Sequence, residues 1–209
     1  RKALRYVLPT NAGEAILLIG AILTGATLPI TAIQIIWINF ATEITLSLSL
    51  AFEPRSAKGM KRKPRHRGEG LIVRRDLVRI IVVSIGIALV AGGVFWWADS
   101  SGRPIEEARA ITVNAVVAAE IAYLLATATL WPRKDTEGIN LVAIGMIVAV
   151  SAAQLLVTQV TPIANALGMS PLTLLDWGVV VVSGVFILVG ALLAQRLQRG
   201  REPAVEGPS

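Results

Sequence analysis

The feature that most limits how this chain can fold is a series of long segments without formal charge. No charged residue lies between Glu14 and Glu43, and turn-forming residues at 25–29 divide that stretch into two. A helix needs roughly 20 apolar residues to cross a bilayer, so the uncharged runs predict membrane spans. Six spans are predicted, at about 7–26, 30–51, 77–98, 109–131, 139–160 and 175–195.

The composition argues against a soluble globular enzyme. Hydrophobic residues make up 54% of the chain and charged residues 16%, with a mean hydropathy of +0.66. Soluble domains are about 45 to 50% apolar and about 25% charged. There is no cysteine, which excludes disulfides and thiolate metal sites, and the single histidine is His66. The predicted fold class is an all-α membrane protein with one transmembrane domain over residues 1–209.

The distribution of basic residues predicts the orientation in the membrane. With six spans, both termini lie on one side, and only Arg103 and Arg109 of the 20 lysine and arginine residues fall on the other. The positive-inside rule therefore makes both termini and the basic loop 52–76 cytoplasmic. Because this topology accounts for the net charge of +6, no nucleic-acid partner is predicted. Residues 197–209 are interpreted as a disordered tail.

Three carboxylates fall within the predicted spans, namely Glu14, Glu43 and Glu120. A carboxylate inside hydrocarbon must be protonated, face water or share a cation. Glu120 is the hardest to explain as an interfacial residue, because it lies midway between Arg109 and Trp131, near a helix centre. These acids therefore indicate a functional site within the membrane.

Other oxygen-bearing side chains accompany the acids at helical spacing. Asn11 precedes Glu14 by three residues, and Asn39 and Thr42 precede Glu43 on a shared helix face. Carboxylate, amide and hydroxyl oxygens are the ligands of hard cations such as Ca²⁺, although Asn and Thr also serve in helix packing. We predict a cation site formed by six residues, Asn11, Glu14, Asn39, Thr42, Glu43 and Glu120.

Several sequence strings resemble a known family. Arg5 to Pro64 closely resembles the fifth and sixth membrane helices, and the loop after them, of type II P-type cation ATPases, the class containing the sarcoplasmic reticulum calcium pump. The matching strings are Arg5-Tyr6, Asn11-Ala12-Gly13-Glu14, Leu28-Pro29, Gln34-Ile35-Ile36-Trp37-Ile38-Asn39, Thr42-Glu43, Glu53-Pro54 and Met60-Lys61-Arg62-Lys63-Pro64-Arg65. The later spans match in number, so the chain resembles the carboxy-terminal membrane region from the fifth to the tenth helix.

The resemblance implies roles for the predicted ligands. Asn11 and Glu14 would be fifth-helix ligands, Asn39, Thr42 and Glu43 sixth-helix ligands, and Glu120 the eighth-helix ligand. The expected transported cation is Ca²⁺, followed by Na⁺ or K⁺ and then Mn²⁺. Calcium pumps typically have Asp where this chain has Glu43, which leaves the ion and the number of ions open. The segment 45–54 is closer to a bacterial branch, so a bacterial plasma membrane is expected.

The sequence lacks the strings with which such pumps use ATP. Neither the phosphorylated Asp-Lys-Thr-Gly-Thr string nor the Thr-Gly-Glu loop occurs, so the chain is expected to be part of a longer pump whose other domains bind Mg-ATP. Its expected partners are the lipid bilayer and the remaining helices and cytoplasmic domains of that pump. Two interpretations of Lys58–Arg79 remain open, binding to anionic lipid or contact with the phosphorylation domain.

Two other classes of function are compatible with six spans. A self-contained secondary ion carrier or channel would use the same carboxylates, but the two halves of the chain show no corresponding pair of interrupted helices. A purely structural membrane module would leave the three intramembrane acids unexplained.

Overall fold

The structure is a computed structural model that describes residues 2–43, 74–127 and 140–199. Within these ranges every regular element is helical. The elements in chain order are α1 (Lys2–Thr24), α2 (Ala32–Ile38), a π-helical turn (Asn39–Glu43), α3 (Arg74–Ser100), α4 (Ile105–Thr127), α5 (Leu141–Gln159), α6 (Thr161–Ala166) and α7 (Leu174–Arg199).

Five of the described helices are long and apolar enough to cross a membrane. They contain the spans Tyr6–Thr24, Leu77–Ser100, Ile105–Thr127, Leu141–Gln159 and Leu174–Arg196. These agree with five of the six predicted spans. The remaining prediction, 30–51, is described only as far as Glu43, where Ala32–Thr42 forms a shorter apolar helix. Residues 44–51 lie outside the described part of the chain, so a sixth span stays a prediction.

Two helices extend a few residues beyond the spans predicted for them. Helix α3 already begins at Arg74, inside the predicted loop 52–76, and α7 continues to Arg199, inside the predicted tail 197–209. The spans were predicted from apolar runs, which end where the hydrocarbon core ends. A helix can continue beyond that point into water with charged residues. The 27 residues of α3 extend about 40 Å, against roughly 30 Å for a hydrocarbon core.

Helix α4 occupies the centre of the bundle. In its most apolar stretch 72% of the residues are buried, compared with 28 to 33% in the other four spans. It packs most extensively against α7 and also contacts α1, α2, α3 and α5, while α1 packs mainly against α3. Many of its buried residues are alanine and valine, whose small side chains allow several helices to approach at once.

Two glycines mark the closest helix contacts. A Cβ atom at Gly13 of α1 would lie 3.0 Å from Cβ of Ile87 on α3, and one at Gly184 of α7 would lie 3.3 Å from Cβ of Ala118 on α4. In a membrane, helices associate through such close packing, because burial away from lipid provides little hydrophobic driving force. Gly13 therefore sets the separation of α1 and α3 between the predicted ligands Asn11 and Glu14.

One end of the bundle collects three connections, 25–31, 101–104 and 160–173. The Arg109 Nε donates to the carbonyl of Leu28 at 3.2 Å. The Gln34 Nε2 donates to the carbonyls of Leu167 at 2.9 Å and Gly168 at 3.2 Å. This arrangement places the first loop, the start of α4 and the connection before α7 together, as the predicted alternation of spans requires.

Asp176 is a buried acid within the predicted span 175–195, and it was not among the three acids predicted to lie inside the membrane. It accepts hydrogen bonds from Arg103 and from the Thr173 hydroxyl, the latter at 2.6 Å. Arg103 also contacts Glu107 at 2.6 Å. These contacts, with the hydrogen bond to Asp176 first, raise the pKa of the Arg103 guanidinium above its ordinary value. The acid thus joins the 101–104 loop to the start of α7.

We expect Gly13→Ala to lower stability, because a methyl group at 3.0 Å from Ile87 forces α1 and α3 apart. Overpacking of this kind costs about 1 to 3 kcal/mol. The matched control is Gly20→Ala on the same helix, where a Cβ meets nothing within 4 Å. Thermal unfolding of the detergent-purified protein measures both variants, and equal midpoints would contradict the close contact.

Asp176→Asn is expected to destabilise the bundle by about 1.5 to 3 kcal/mol, the usual range for hydrogen bonds to charged groups. The amide cannot neutralise Arg103, and it accepts fewer hydrogen bonds than the carboxylate. Glu106→Gln is the control, since Glu106 is exposed at the same end of the bundle. The same thermal measurement checks both, and a midpoint for Asp176→Asn equal to that of Glu106→Gln would rule out the proposed stabilisation.

Candidate functional site

A proline lies within α1, two residues before the first predicted ligand. Pro9 has no N–H, so it cannot donate to the carbonyl of Arg5, and its ring disturbs the preceding turn. Two hydroxyl groups support the backbone there. The Ser84 Oγ of α3 lies 2.9 Å from the Pro9 carbonyl oxygen and 2.7 Å from the Ile80 carbonyl oxygen, which share its single proton, and the Thr10 Oγ1 donates to the Val7 carbonyl at 3.0 Å. The turn that leads into Asn11 and Glu14 is therefore held from α3.

The two ligands predicted on α1 both place oxygen inside the bundle. Glu14 is buried, with 3% of its surface exposed, and Asn11 is half-buried. The Oδ1 atom of Asn11 is buried and has no hydrogen-bond partner among the described residues. A buried amide oxygen without a partner costs free energy unless another group, such as a cation, occupies the space beside it. Asn11 thus fits the predicted role of an oxygen ligand.

The ligands predicted after α2 lie on the π-helical turn Asn39–Glu43. The Asn39 Oδ1 is buried and, within the described ranges, accepts no hydrogen bond. The Thr42 Oγ1 donates to the Ile38 carbonyl at 2.7 Å, which leaves its lone pairs free to accept or to bind a cation. The backbone of Glu43 ends the turn, and its side chain lies outside what the structure describes. Single π-helical turns inside α-helices often occur at functional sites.

Glu120 on α4 is 1% exposed and lies near the first turns of α1. The Tyr6 hydroxyl donates to the Glu120 carbonyl at 3.4 Å. Measured along the axis of α1, Asn11 is about 7 Å and Glu14 about 12 Å beyond Tyr6, at 1.5 Å per residue. The structure therefore places Glu120 of α4 beside the first turns of α1, the helix that carries Asn11 and Glu14.

The candidate ligands belong to helices that contact one another. Helix α4 contacts both α1 and α2, and α5 contacts the π-helical turn. Among the side chains that the structure describes, no three acidic or histidine residues group closely enough to hold a metal ion. The described part of the arrangement offers two buried carboxylates, on Glu14 and Glu120, and the buried amide oxygens of Asn11 and Asn39, on helices that contact α4 or belong to it.

Sequence reasoning missed an aromatic and cationic group beside Glu120. The rings of Tyr6 and Tyr123 stack with centroids 6.0 Å apart, and the Arg79 guanidinium carbon lies 5.4 Å from the centroid of the Tyr123 ring. Arg79 was predicted as the last residue of the stretch Lys58–Arg79, and it lies within α3 instead of in a loop. Residues 58–73 of that stretch are outside the described residues.

Two buried glutamines connect α2 to later parts of the chain. They were not predicted, because the prediction of site residues began from charged side chains. The Trp37 Nε1 donates to the Gln154 Oε1 of α5 at 2.8 Å. Gln34 is fully buried and, besides its two bonds to the 167–168 carbonyls, its Oε1 accepts from the Thr31 N–H at 2.9 Å. The usable signal in the sequence was the presence of glutamine within strongly apolar runs, where polar side chains need partners.

Comparison with known proteins agrees with this architecture. Residues 27–197 match the family described as "Cation transporting ATPase, C-terminus". The chain therefore belongs to the carboxy-terminal membrane region of the cation-transporting ATPases, in agreement with the resemblance to type II P-type pumps. It is an integral membrane protein, and its bacterial relatives indicate the plasma membrane.

Three relatives show how much of a full-length ATPase this chain corresponds to. It is 30% identical to the cation-transporting ATPase pma1 of Synechocystis over 94% of this chain and 23% of the relative. It is 38% identical to the probable cation-transporting ATPase F of Mycobacterium tuberculosis over 62% of this chain and 14% of the relative. It is 26% identical to a calcium-transporting ATPase of Bacillus subtilis over 94% of this chain and 23% of the relative. The chain thus spans about a quarter or less of these relatives.

Proposed function

We propose that this chain is the membrane domain of an ATP-driven cation pump and supplies part of its intramembrane cation site. The observation that carries the proposal is the pair of buried amide oxygens on Asn11 and Asn39, which accept no hydrogen bond from the described residues. They lie on two successive membrane helices, next to acids at helical spacing. Such oxygens are expected where a transported cation, and not a neighbouring side chain, completes the hydrogen-bonding or coordination shell.

The proposed ligands are Asn11, Glu14, Asn39, Thr42, Glu43 and Glu120. The cation that these oxygens suit best is Ca²⁺, which takes six to eight oxygen ligands and tolerates irregular geometry. Relatives named calcium-transporting ATPases support the same choice. Na⁺, K⁺ and Mn²⁺ are the alternatives, since Glu43 has a longer arm than the Asp typical of calcium pumps.

The rest of the pump would provide the energy and complete the site. Aspartyl phosphorylation in the cytoplasmic domains forms a covalent intermediate, and the start of α1 would transmit the resulting movement to Asn11 and Glu14. Mg-ATP would bind only in those other domains, and the 209-residue chain alone should not hydrolyse ATP.

We further propose six spans with both termini in the cytoplasm. The three connections that meet at one end of the bundle, 25–31, 101–104 and 160–173, would then face outward. The basic loop 52–76 would face the cytoplasm, where anionic lipid attracts positive charge.

Glu14→Gln and Glu43→Gln in the full-length pump should each abolish cation-stimulated phosphorylation by ATP. An amide removes the negative charge that a hard cation requires but leaves the side-chain volume unchanged. Glu120→Gln should have a milder effect, because it completes only part of the site. Phosphoenzyme formation against cation concentration measures all three, with Glu106→Gln at the outer end of the bundle as the control. Wild-type cation affinity in both Glu14→Gln and Glu43→Gln would refute the site.

Replacing Glu43 by Asp should change ion preference more than protein yield. The substitution shortens the arm by one methylene group while keeping the charge, so the cavity for the cation changes size. Phosphorylation measured across Ca²⁺, Mn²⁺, Na⁺ and K⁺ would show the change as a reordering of the half-saturating concentrations. An unchanged order with altered yield would indicate a structural role.

Single-cysteine labelling tests the topology, and the absence of cysteine from this chain simplifies the design. Ser101→Cys and Asn165→Cys, both at exposed positions, should react with a membrane-impermeant maleimide applied outside intact cells. Ser56→Cys should react only after permeabilisation. External labelling of Ser56→Cys, or protection of Ser101→Cys from the outside, would overturn the orientation.

A further inference from the structure

Helix α5 carries two polar side chains on one face that contact two different helices. Gln154 and Thr158 are four residues apart, and both are at least 95% buried. The Gln154 Oε1 accepts from the Trp37 Nε1 at 2.8 Å, and the Thr158 Oγ1 accepts from the Asn114 Nδ2 at 3.0 Å. One face of α5 is therefore bonded both to α2 and to α4.

The helices on either side of that face carry proposed ligands. Trp37 lies two residues before Asn39, at the start of the π-helical turn, and Asn114 lies six residues before Glu120 on α4. Consecutive residues of a helix differ by about 100° around its axis, so fixing the Trp37 ring fixes the direction in which the turn presents its oxygens. The contact at Asn114 fixes α5 relative to α4 in the same way.

Helix α2 changes its hydrogen-bonding pattern next to the candidate ligands. After Ile38 the α-helical pattern gives way to the π-helical turn Asn39–Glu43. At the other end, Gln34 is bonded to the 167–168 carbonyls, so α2 is held by side-chain hydrogen bonds at both ends of this segment.

We infer that Gln154 and Trp37 are positioning residues for the cation site, acting through a hydrogen bond that makes α5 a strut between α2 and α4. The inference deepens the proposed function and rests on it. In hydrocarbon no water replaces a lost partner, so the bond sets the rotation of the π-helical turn and hence the position of Asn39 and Thr42. Neither Gln154 nor Trp37 binds the cation.

The test is a double-mutant cycle in the full-length pump with Trp37→Phe, Gln154→Met and the two together. Trp37→Phe removes the donor and Gln154→Met removes the acceptor at similar volume. Each single variant should raise the half-saturating cation concentration for phosphorylation by roughly three- to tenfold. The double variant should raise it by no more than the single variant with the larger shift, because both substitutions remove the same hydrogen bond. The maximal phosphoenzyme level at saturating cation should stay at the wild-type value in all three.

The control is Gln159→Met, an exposed glutamine on the same helix whose Nε2 bonds to the Leu172 carbonyl at 2.9 Å instead of to a residue of α2. It should leave the half-saturating cation concentration unchanged. The inference is overturned by wild-type cation affinity in both single variants, by effects that multiply in the double variant, or by an equal shift in Gln159→Met. Where Gln154→Met does not accumulate in the membrane, Gln154→Asn, whose acceptor is one methylene short, is subject to the same outcomes.

Failure of the strut and failure of the cation site give different results. If Glu14→Gln and Glu43→Gln both keep wild-type phosphorylation, the cation site itself is wrong. If those two variants lose phosphorylation while Trp37→Phe and Gln154→Met keep wild-type cation affinity, the site stands and only the positioning role is refuted.

Discussion

The structure depends on the rule that every polar group inside hydrocarbon needs a partner within the protein. Backbone groups meet this requirement by forming helices. Side chains meet it one by one, as Gln34 does with the 167–168 carbonyls and Asn114 does with Thr158. The buried oxygens of Asn11 and Asn39 are among the buried side-chain atoms that have no hydrogen-bond partner in the described residues, and a cation would supply one.

The central position of α4 explains how so many polar contacts can be arranged in one small bundle. Its alanine- and valine-rich surface lets α1, α2, α3, α5 and α7 approach it closely, and Gly184 allows one of the closest contacts, at Ala118. A helix that contacts all its neighbours also relates their positions to one another. The hydrogen bond from the Tyr6 hydroxyl to the Glu120 carbonyl joins α1 to α4 in this way.

The sequence predicted the helical class and five spans well, because the length of an apolar run can be compared directly with the length of helix needed to cross the bilayer. It could not predict the ends of α3 and α7, where charged residues continue the helix into water. It also missed Asp176, whose charge is balanced by Arg103, a partner 73 positions away in the chain. Pairings such as Trp37 with Gln154 depend on how separate helices pack, and residue spacing along one helix contains no information about them.

The candidate ligands were predicted from spacing, but the structure adds that two of the three helical segments that carry them are irregular near those residues. Pro9 interrupts the hydrogen bonding of α1 just before Asn11, and the turn Asn39–Glu43 is π-helical. Irregular backbone weakens a helix at that point, so its position has to be set by its neighbours. Ser84 of α3 supports the first irregularity and Gln154 of α5 the approach to the second. Regular helices thus hold the irregular ones at the points where the candidate ligands lie.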